Sequence, residues 1–221
     1  MNPKTNSGSF HGLGIAPRLL ETIAHLQFTI PTPIQERAIP IGIEGKDMIG
    51  IAQTGTGKTL AFGVPMIQRI ESTKARGLVL LPTRELALQV EETLRKIGSG
   101  LGVRTAVLIG GAPMGSQIRS LARNPQIIIA TPGRMIDHLQ QKTVSLQGVS
   151  ILVLDEADRM LDMGFAPQLK KIFEKLPTER QTMLFSATMP DDIGRMATKH
   201  MKLPLRVEVA PPGTAAERVE Q

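Results

Sequence analysis

The amino-acid sequence predicts an α/β fold, a mostly parallel central sheet with helices on both faces. Three observations carry that expectation. Short apolar runs alternate along the chain with stretches of helix-period apolar spacing. One run, Ser150-Ile151-Leu152-Val153-Leu154, has no charge in five residues, as a central parallel strand covered on both faces requires. Another, Met48-Ile49-Gly50-Ile51-Ala52, feeds a Gly/Thr-rich turn that leads into a helix.

Taken in order, strands are expected over 48–52, 78–81, 104–109, 127–130, 151–154, 182–185 and 205–209. A helix opens at Leu60-Ala61-Phe62-Gly63-Val64, and helix-period spacing marks 85–97, 135–141, 165–176 and 191–200. Pro82, Pro132 and Pro190 follow strand candidates at places where a missing N–H is tolerated at a helix start. At 221 residues and 41% hydrophobic, the chain can bury a full core and is most simply one domain. Residues 1–9 are expected to be a flexible N-terminus, and 210–221, with Pro211-Pro212-Gly213, to be a linker. No internal repeat or low-complexity block is evident.

The turn Ala52-Gln53-Thr54-Gly55-Thr56-Gly57-Lys58-Thr59 has the chemistry of a phosphate site. Glycines let consecutive N–H groups point inward around phosphates, and the following helix N-terminus adds partial positive charge. Lys58 would reach the β and γ phosphates, and the Thr59 hydroxyl would ligate Mg²⁺ alongside phosphate oxygens and waters. Ala52 stands where the pattern has its first glycine, which is harmless if the position needs no positive φ. The second motif, the acidic Asp155-Glu156-Ala157-Asp158, follows the uncharged strand and falls at its carboxyl end, where open α/β sheets bind ligands. Asp155 would hold Mg²⁺ through water, and Glu156 would orient or deprotonate an attacking water. Carboxylates opening a helix also serve as ordinary capping electrostatics, so this motif alone leaves both readings open.

Composition narrows the partners. The net charge of +6 and pI near 9.9 favour a polyanion, while the absence of Trp and Tyr leaves six Phe. Stacking on bases needs exposed rings, so a nucleic-acid partner would be held by its sugar-phosphate backbone with little sequence reading. No stretch approaches the roughly 20 apolar residues of a membrane span, and the first residues lack a signal-peptide core; a cytoplasmic location is the expectation. Zero cysteines exclude disulfides and thiolate metal sites. The histidines His11, His25, His138 and His200 have no zinc-ligand spacing and read as surface or packing residues.

Several separated motifs now coincide in one order: Phe28 with Pro31-Thr32-Pro33-Ile34-Gln35, the phosphate loop, Pro82-Thr83-Arg84-Glu85-Leu86-Ala87, Gly110-Gly111, Thr131-Pro132-Gly133-Arg134, Asp155-Glu156-Ala157-Asp158 and Ser186-Ala187-Thr188. From about Phe10 to about Val209 the chain resembles the first RecA-like, P-loop domain of the DEAD-box RNA helicases. The resemblance implies a domain over 10–209, with its base-reading segment at 10–38, that takes ATP or ADP with Mg²⁺. By resemblance Gln35 reads the adenine edge and Phe28 stacks on the ring; a Gln amide can donate to and accept from that edge at once. The family's usual glycine before this aromatic is Gln27 here. Phe10 reads as packing. Pro82, Thr83, Arg84, Gly110, Gly111, Thr131, Gly133 and Arg134 are carried over as contacts to the RNA backbone. Helix-start N–H groups beside an arginine form a natural phosphate seat, although Glu85 and Asp137 are also available as surface partners for the two arginines. Ser186 and Thr188 would hydrogen-bond Asp158 and connect the ATP site to the RNA face.

The same resemblance implies a second, C-terminal RecA-like domain that supplies arginines to the γ-phosphate and the other half of the RNA site. Nothing after Val209 encodes it, so the chain by itself is expected to hydrolyse ATP slowly and not to unwind. A monomer is the default. Two other readings stay open: a stand-alone adenine-nucleotide-binding regulatory module, and a different P-loop enzyme such as a DNA-directed helicase. A small-molecule kinase would leave Pro82-Thr83-Arg84 and Thr131-Pro132-Gly133-Arg134 without a role.

Overall fold

A computed structural model describes residues 8–210. Most of the expected N-terminal segment 1–9 and nearly all of the expected linker 210–221 lie outside the described residues. Strands form at β1 (Met48–Ile51), β2 (Arg76–Leu80), β3 (Thr105–Leu108), β4 (Ile127–Ala130), β5 (Val149–Leu154), β6 (Gln181–Ser186) and β7 (Leu205–Glu208). They pair into one sheet in the order β3-β4-β2-β5-β6-β1-β7, and every pairing is parallel. The helices are α1 (Pro17–His25), α2 (Pro33–Ile43), α3 (Lys58–Thr73), α4 (Arg84–Gly98), α5 (Met114–Ala122), α6 (Pro132–Gln140), α7 (Ala157–Asp162), α8 (Ala166–Phe173) and α9 (Asp191–His200).

Strand alternation divides the core into two layers. On one face Val79, Ile129, Val153 and Phe185 pack with Leu19, Ile34, Phe62 and Leu94 from α1 to α4. On the other, Leu78, Ile128, Leu152 and Leu184 pack with Met135, Met160, Leu169 and Ile193 from α6 to α9. Successive strand residues point to opposite faces, so a strand apolar at every position needs helices on both sides. Phe10, 4% exposed, packs into the first layer with Ile15, Leu19 and Ile23 and so anchors the segment preceding the sheet.

Register then sets where function can gather. Leu80 stands opposite both Ala130 and Leu154, Leu154 opposite Leu184, and Ile51 opposite Ser186. Five strands therefore end nearly level, and the segments after β1, β2, β4, β5 and β6 emerge along one carboxyl edge. Those segments hold the phosphate loop, Pro82-Thr83-Arg84, Thr131-Pro132-Gly133-Arg134, the acidic motif and Ser186-Ala187-Thr188.

Helices α1, α2, α5 and the short α7 are additional to the periodic helices expected from the sequence. α1 and α2 each carry proline in their first turn, and α2 opens with a capping box of Thr32 and Gln35. α5 is short: Met114, Ile118, Leu121 and Ala122 keep helix spacing, but only over nine residues, and Gln117 is its one fully buried residue.

Candidate functional site

The loop after β1 closes on itself before α3 begins. The Thr56 hydroxyl donates to the Gln53 carbonyl at 2.7 Å, and Gly57 caps α3 in the left-handed region at φ 86°. A Cβ at Gly57 would overlap the Gln35 amide nitrogen, so the position demands glycine both for conformation and for space. Ala52 does not adopt a positive φ, which is why alanine serves there. Gln27, by contrast, takes φ 63°, a conformation that glycine would adopt without strain.

Phe28, Thr54, Gly55, Gly57, Lys58, Thr59, Asp155 and Glu156 line one cleft of about 410 Å³, completed by Leu86, Gln89, Val90 and Thr93 of α4. Phe28 is 40% exposed there. Gln53 and Thr56 stay outside the lining and shape the loop. Gln35 also lies behind it, buried, with Nε2 donating to the Gly57 carbonyl at 3.0 Å and Oε1 accepting from the Thr32 N–H at 2.9 Å. The Thr32 hydroxyl adds a bond to the Thr56 carbonyl at 2.7 Å. The start of α2 thus braces the phosphate loop through two side-chain hydrogen bonds, from Gln35 and Thr32, while the Thr32 N–H fixes the Gln35 amide, a role the base-reading expectation for Gln35 does not include.

Lys58 and Asp155 face each other across the floor, Nζ to Oδ1 at 3.7 Å, and both are buried. The ammonium has no hydrogen-bond partner. Its charge is balanced by Asp155, but its buried N–H donors are unsatisfied, which suits them to an acceptor such as a phosphate oxygen. Burial pushes the Asp155 carboxyl up to about 6; Lys58 pulls it down and the neighbouring Glu156 charge raises it. The Thr59 hydroxyl and Asp155 carboxylate are hard oxygen donors of the kind Mg²⁺ takes when phosphate oxygens and waters complete its shell. Glu156 sits at φ 53° as the N-cap of α7, its carboxylate 3.2 Å from Arg159. A glutamate in the left-handed region is strained by about 1 kcal/mol or more, and such strain concentrates at functional sites.

A second cleft of about 560 Å³ opens on the same sheet edge and is lined by Pro82, Thr83, Arg84, Gly110, Gly111, Thr131, Gly133 and Arg134. Every residue assigned from sequence to the RNA backbone is on its wall. Thr83 caps α4, its hydroxyl accepting from the Leu86 N–H at 3.3 Å, and Thr131 precedes Pro132 at the first position of α6. Two helix N-termini thereby point their free N–H groups at this cleft. Arg84 donates to the Gly110 carbonyl at 3.3 Å, and Gly111 at φ 76° leaves no room for a side chain beneath that guanidinium. Arg134 donates to the Ala112 carbonyl at 2.9 Å and pairs with Asp137 at 3.3 Å. Glu85, Asp137, Met163 and Phe165 complete the wall, and sequence reading did not bring the last two to the site. A cleft of about 650 Å³, at the opposite sheet edge around Asp47, Arg180 and Lys202, gathers none of the motif residues.

Between the two clefts, Asp158 is held from β6. Its Oδ2 accepts from the Thr188 N–H at 3.0 Å and hydroxyl at 2.9 Å, and its own N–H donates to Ser186 Oγ at 3.3 Å. Burial by itself would raise the Asp158 carboxyl, but the bonds from Thr188, the Arg159 N–H and Ser186 outweigh it and hold the group below its ordinary value.

A parallel sheet with a phosphate loop after one edge-proximal strand and acidic residues after a central strand defines a P-loop nucleotide-binding domain of the RecA-like type. The family model for DEAD/DEAH box helicases matches residues 32–196, and the chain belongs to that family. It is 49% identical over 216 residues to an ATP-dependent rRNA helicase of Debaryomyces hansenii, covering 96% of this chain and 45% of the relative. An ATP-dependent RNA helicase of Listeria monocytogenes is 47% identical, with 96% of this chain and 41% of the relative aligned. The crystal structure of a DEAD box protein from the hyperthermophile Methanococcus jannaschii superposes with a TM-score of 0.87 at 34% identity, over 92% of this chain and 56% of that one. The chain therefore spans about half the length of the relatives it matches.

Proposed function

We propose that residues 10–209 form the ATP-binding half of an RNA-dependent ATPase that grips single-stranded RNA by its sugar-phosphate backbone. The observation that carries this reading is the pairing of two clefts on one sheet edge. One holds a buried, unpartnered Lys58 ammonium facing Asp155, and the other collects helix N-termini, Arg84 and Arg134. In this reading Phe28 stacks on adenine and Lys58 with the loop amides of Gln53, Thr54, Gly55, Thr56, Gly57 and Thr59 holds the phosphates. Thr59 and Asp155 are the residues that would hold Mg²⁺, which when bound supplies neutralisation of phosphate charge. Glu156 orients the attacking water. Gln35 serves the adenine edge by exchanging its Gly57 bond for one to the base. Asp158, with Ser186 and Thr188, couples the nucleotide cleft to the RNA cleft, a role that a double-mutant cycle measures directly.

Full turnover and unwinding require a second RecA-like domain, because an arginine supplied to the transition state is worth roughly 10³–10⁵ in phosphoryl transfer. The ATP-dependent RNA helicases among the relatives support this activity, and the chain is proposed to act as a cytoplasmic monomer. Among the described residues no helix is long and apolar enough to cross a membrane. Titrating single-stranded RNA and DNA of equal sequence into the chain with an ATP analogue tests the reading. Preference for RNA supports it, since 2′-hydroxyl contacts separate the polymers. Equal binding would turn it to a DNA-directed helicase, and ADP binding without either polymer to a regulatory nucleotide module.

A further inference from the structure

Beside the second cleft lies a buried polar network to which no motif assigns a role. Gln117 on α5 is 4% exposed and His138 on α6 is 0% exposed. Gln117 Nε2 donates to the Ile109 carbonyl at 2.9 Å and, more weakly, to the Ala112 carbonyl at 3.4 Å. Those two carbonyls flank Gly110-Gly111. With carbonyls facing its nitrogen, the Gln117 amide has one satisfactory orientation, and Oε1 meets His138 Nε2 at 2.9 Å. That ring nitrogen must therefore carry the hydrogen. Nδ1 meets the Thr143 hydroxyl at 2.7 Å, just past the end of α6. Burial, followed by the Arg134 charge, holds His138 below its ordinary pKa, which keeps the ring neutral; Nδ1 is then an acceptor for the Thr143 hydroxyl, whose one hydrogen it shares with the His138 carbonyl at 3.1 Å.

Arg134, one turn before His138 on α6, donates to the same Ala112 carbonyl at 2.9 Å. The turn is thus gripped from two side chains that both refer it to α6. Two successive glycines would otherwise leave this stretch with more conformational freedom than any other pair of residues. Ordering it only when a ligand arrives would subtract from affinity, whereas ordering it in advance does not.

We propose that Gln117 and His138 are positioning residues which hold the Gly110-Gly111 turn in the shape that the RNA backbone meets. The proposal rests on the reading of this cleft as the RNA face. Neither side chain touches RNA; each acts through backbone carbonyls and the helix that also bears Arg134.

Two substitutions separate this role from bulk packing. Gln117→Glu keeps the size and an acceptor for His138 but removes the donor that faces Ile109 and Ala112. Gln117→Met keeps the volume without introducing a charge, and covers the case in which the glutamate does not fold. Three quantities are measured on the full chain: ADP affinity as the control for a folded domain, amide hydrogen exchange at residues 110–112, and affinity for a single-stranded oligoribonucleotide across a salt series. The expected result is unchanged ADP affinity, faster exchange at 110–112, and RNA affinity reduced roughly five- to tenfold, the worth of about one hydrogen bond. In Gln117→Met the salt slope stays as in the parent, because no charge near the phosphates has been added or removed. RNA affinity or exchange at parental values in the folded variants overturns the proposal. Arg84→Ala, run in parallel, tests the underlying reading. If it weakens RNA while the Gln117 variants do not, the positioning role alone is wrong; if it also leaves RNA untouched, the RNA face itself is misassigned and the proposal falls with it.

Discussion

Replacing Gly57 by alanine should damage both the fold and the nucleotide site, by two separable routes. The residue sits at φ 86°, where an L side chain costs about 1–2 kcal/mol. The added Cβ would also overlap Gln35 Nε2 and lie 3.2 Å from the Thr32 hydroxyl, so Gln35 must swing away and give up its 3.0 Å bond to the Gly57 carbonyl. A buried hydrogen bond of this kind is worth about 1 kcal/mol net. The total is about 2–3 kcal/mol, which for a domain of this size lowers the unfolding midpoint by about 5–10 °C. Gly55 supplies the internal control: it has φ 83° but nothing within 4 Å of a Cβ, so Gly55→Ala carries only the backbone cost. Denaturant unfolding and thermal melts of Gly57→Ala, Gly55→Ala, Gln35→Ala and the Gly57→Ala/Gln35→Ala pair measure each part. The pair should be less destabilised than the sum of its singles by about 1 kcal/mol, since the overlap disappears with the Gln35 side chain. Equal losses for Gly57→Ala and Gly55→Ala, together with additivity in the pair, would refute the bracing of the loop by Gln35.

Asp158 is held below its ordinary value of 3.8, so its bonds to Thr188 contribute stability that is complete above that pH and lost as pH falls through the lower folded value. Thr188→Ala should therefore lower stability to urea at pH 7 and converge on the parent in strong acid; a gap that persists there means the contribution is not from the ionised carboxylate. Arg134 is divided between Ala112, Asp137 and the cleft, so Arg134→Ala should weaken RNA and reduce the magnitude of the salt slope by about one phosphate contact, whereas Asp137→Asn should strengthen RNA binding by releasing the guanidinium. An unchanged slope in Arg134→Ala would make the residue purely structural.

The seven strands were legible because each is a short apolar run that must be covered on both faces, and the motif residues were legible because they sit immediately after those runs. Register was not legible, yet it is register that brings Pro82, Thr131 and Gly110 to one cleft although they are far apart in sequence. α1 escaped because its apolar stripe, Leu19, Leu20 and Ile23, is short, and α2 because its apolar residues follow no single face; Thr32 and Gln35 formed a capping box that a search for helix starts could have caught. The two tasks of Gln35 illustrate a deeper limit. Sequence assigned its amide to adenine, while in this structure both ends of the amide are engaged by Gly57 and Thr32. His138 reads as an ordinary surface or packing histidine until α5 places Gln117 against it, a contact made across 21 residues of chain. Met163 and Phe165 carry no motif signal, and their place on the second cleft comes only from the way α7 ends.

The central claim is that the cleft between the phosphate loop and Asp155 is an adenine-nucleotide site built around the unpartnered Lys58 ammonium. Calorimetric titration of ADP and GDP, each with Mg²⁺, into the parent chain and Lys58→Ala addresses it directly. The account predicts binding of ADP but not GDP, lost when Lys58 is replaced while the domain stays folded. Equal affinity for the two nucleotides, or ADP binding that survives Lys58→Ala, would contradict it.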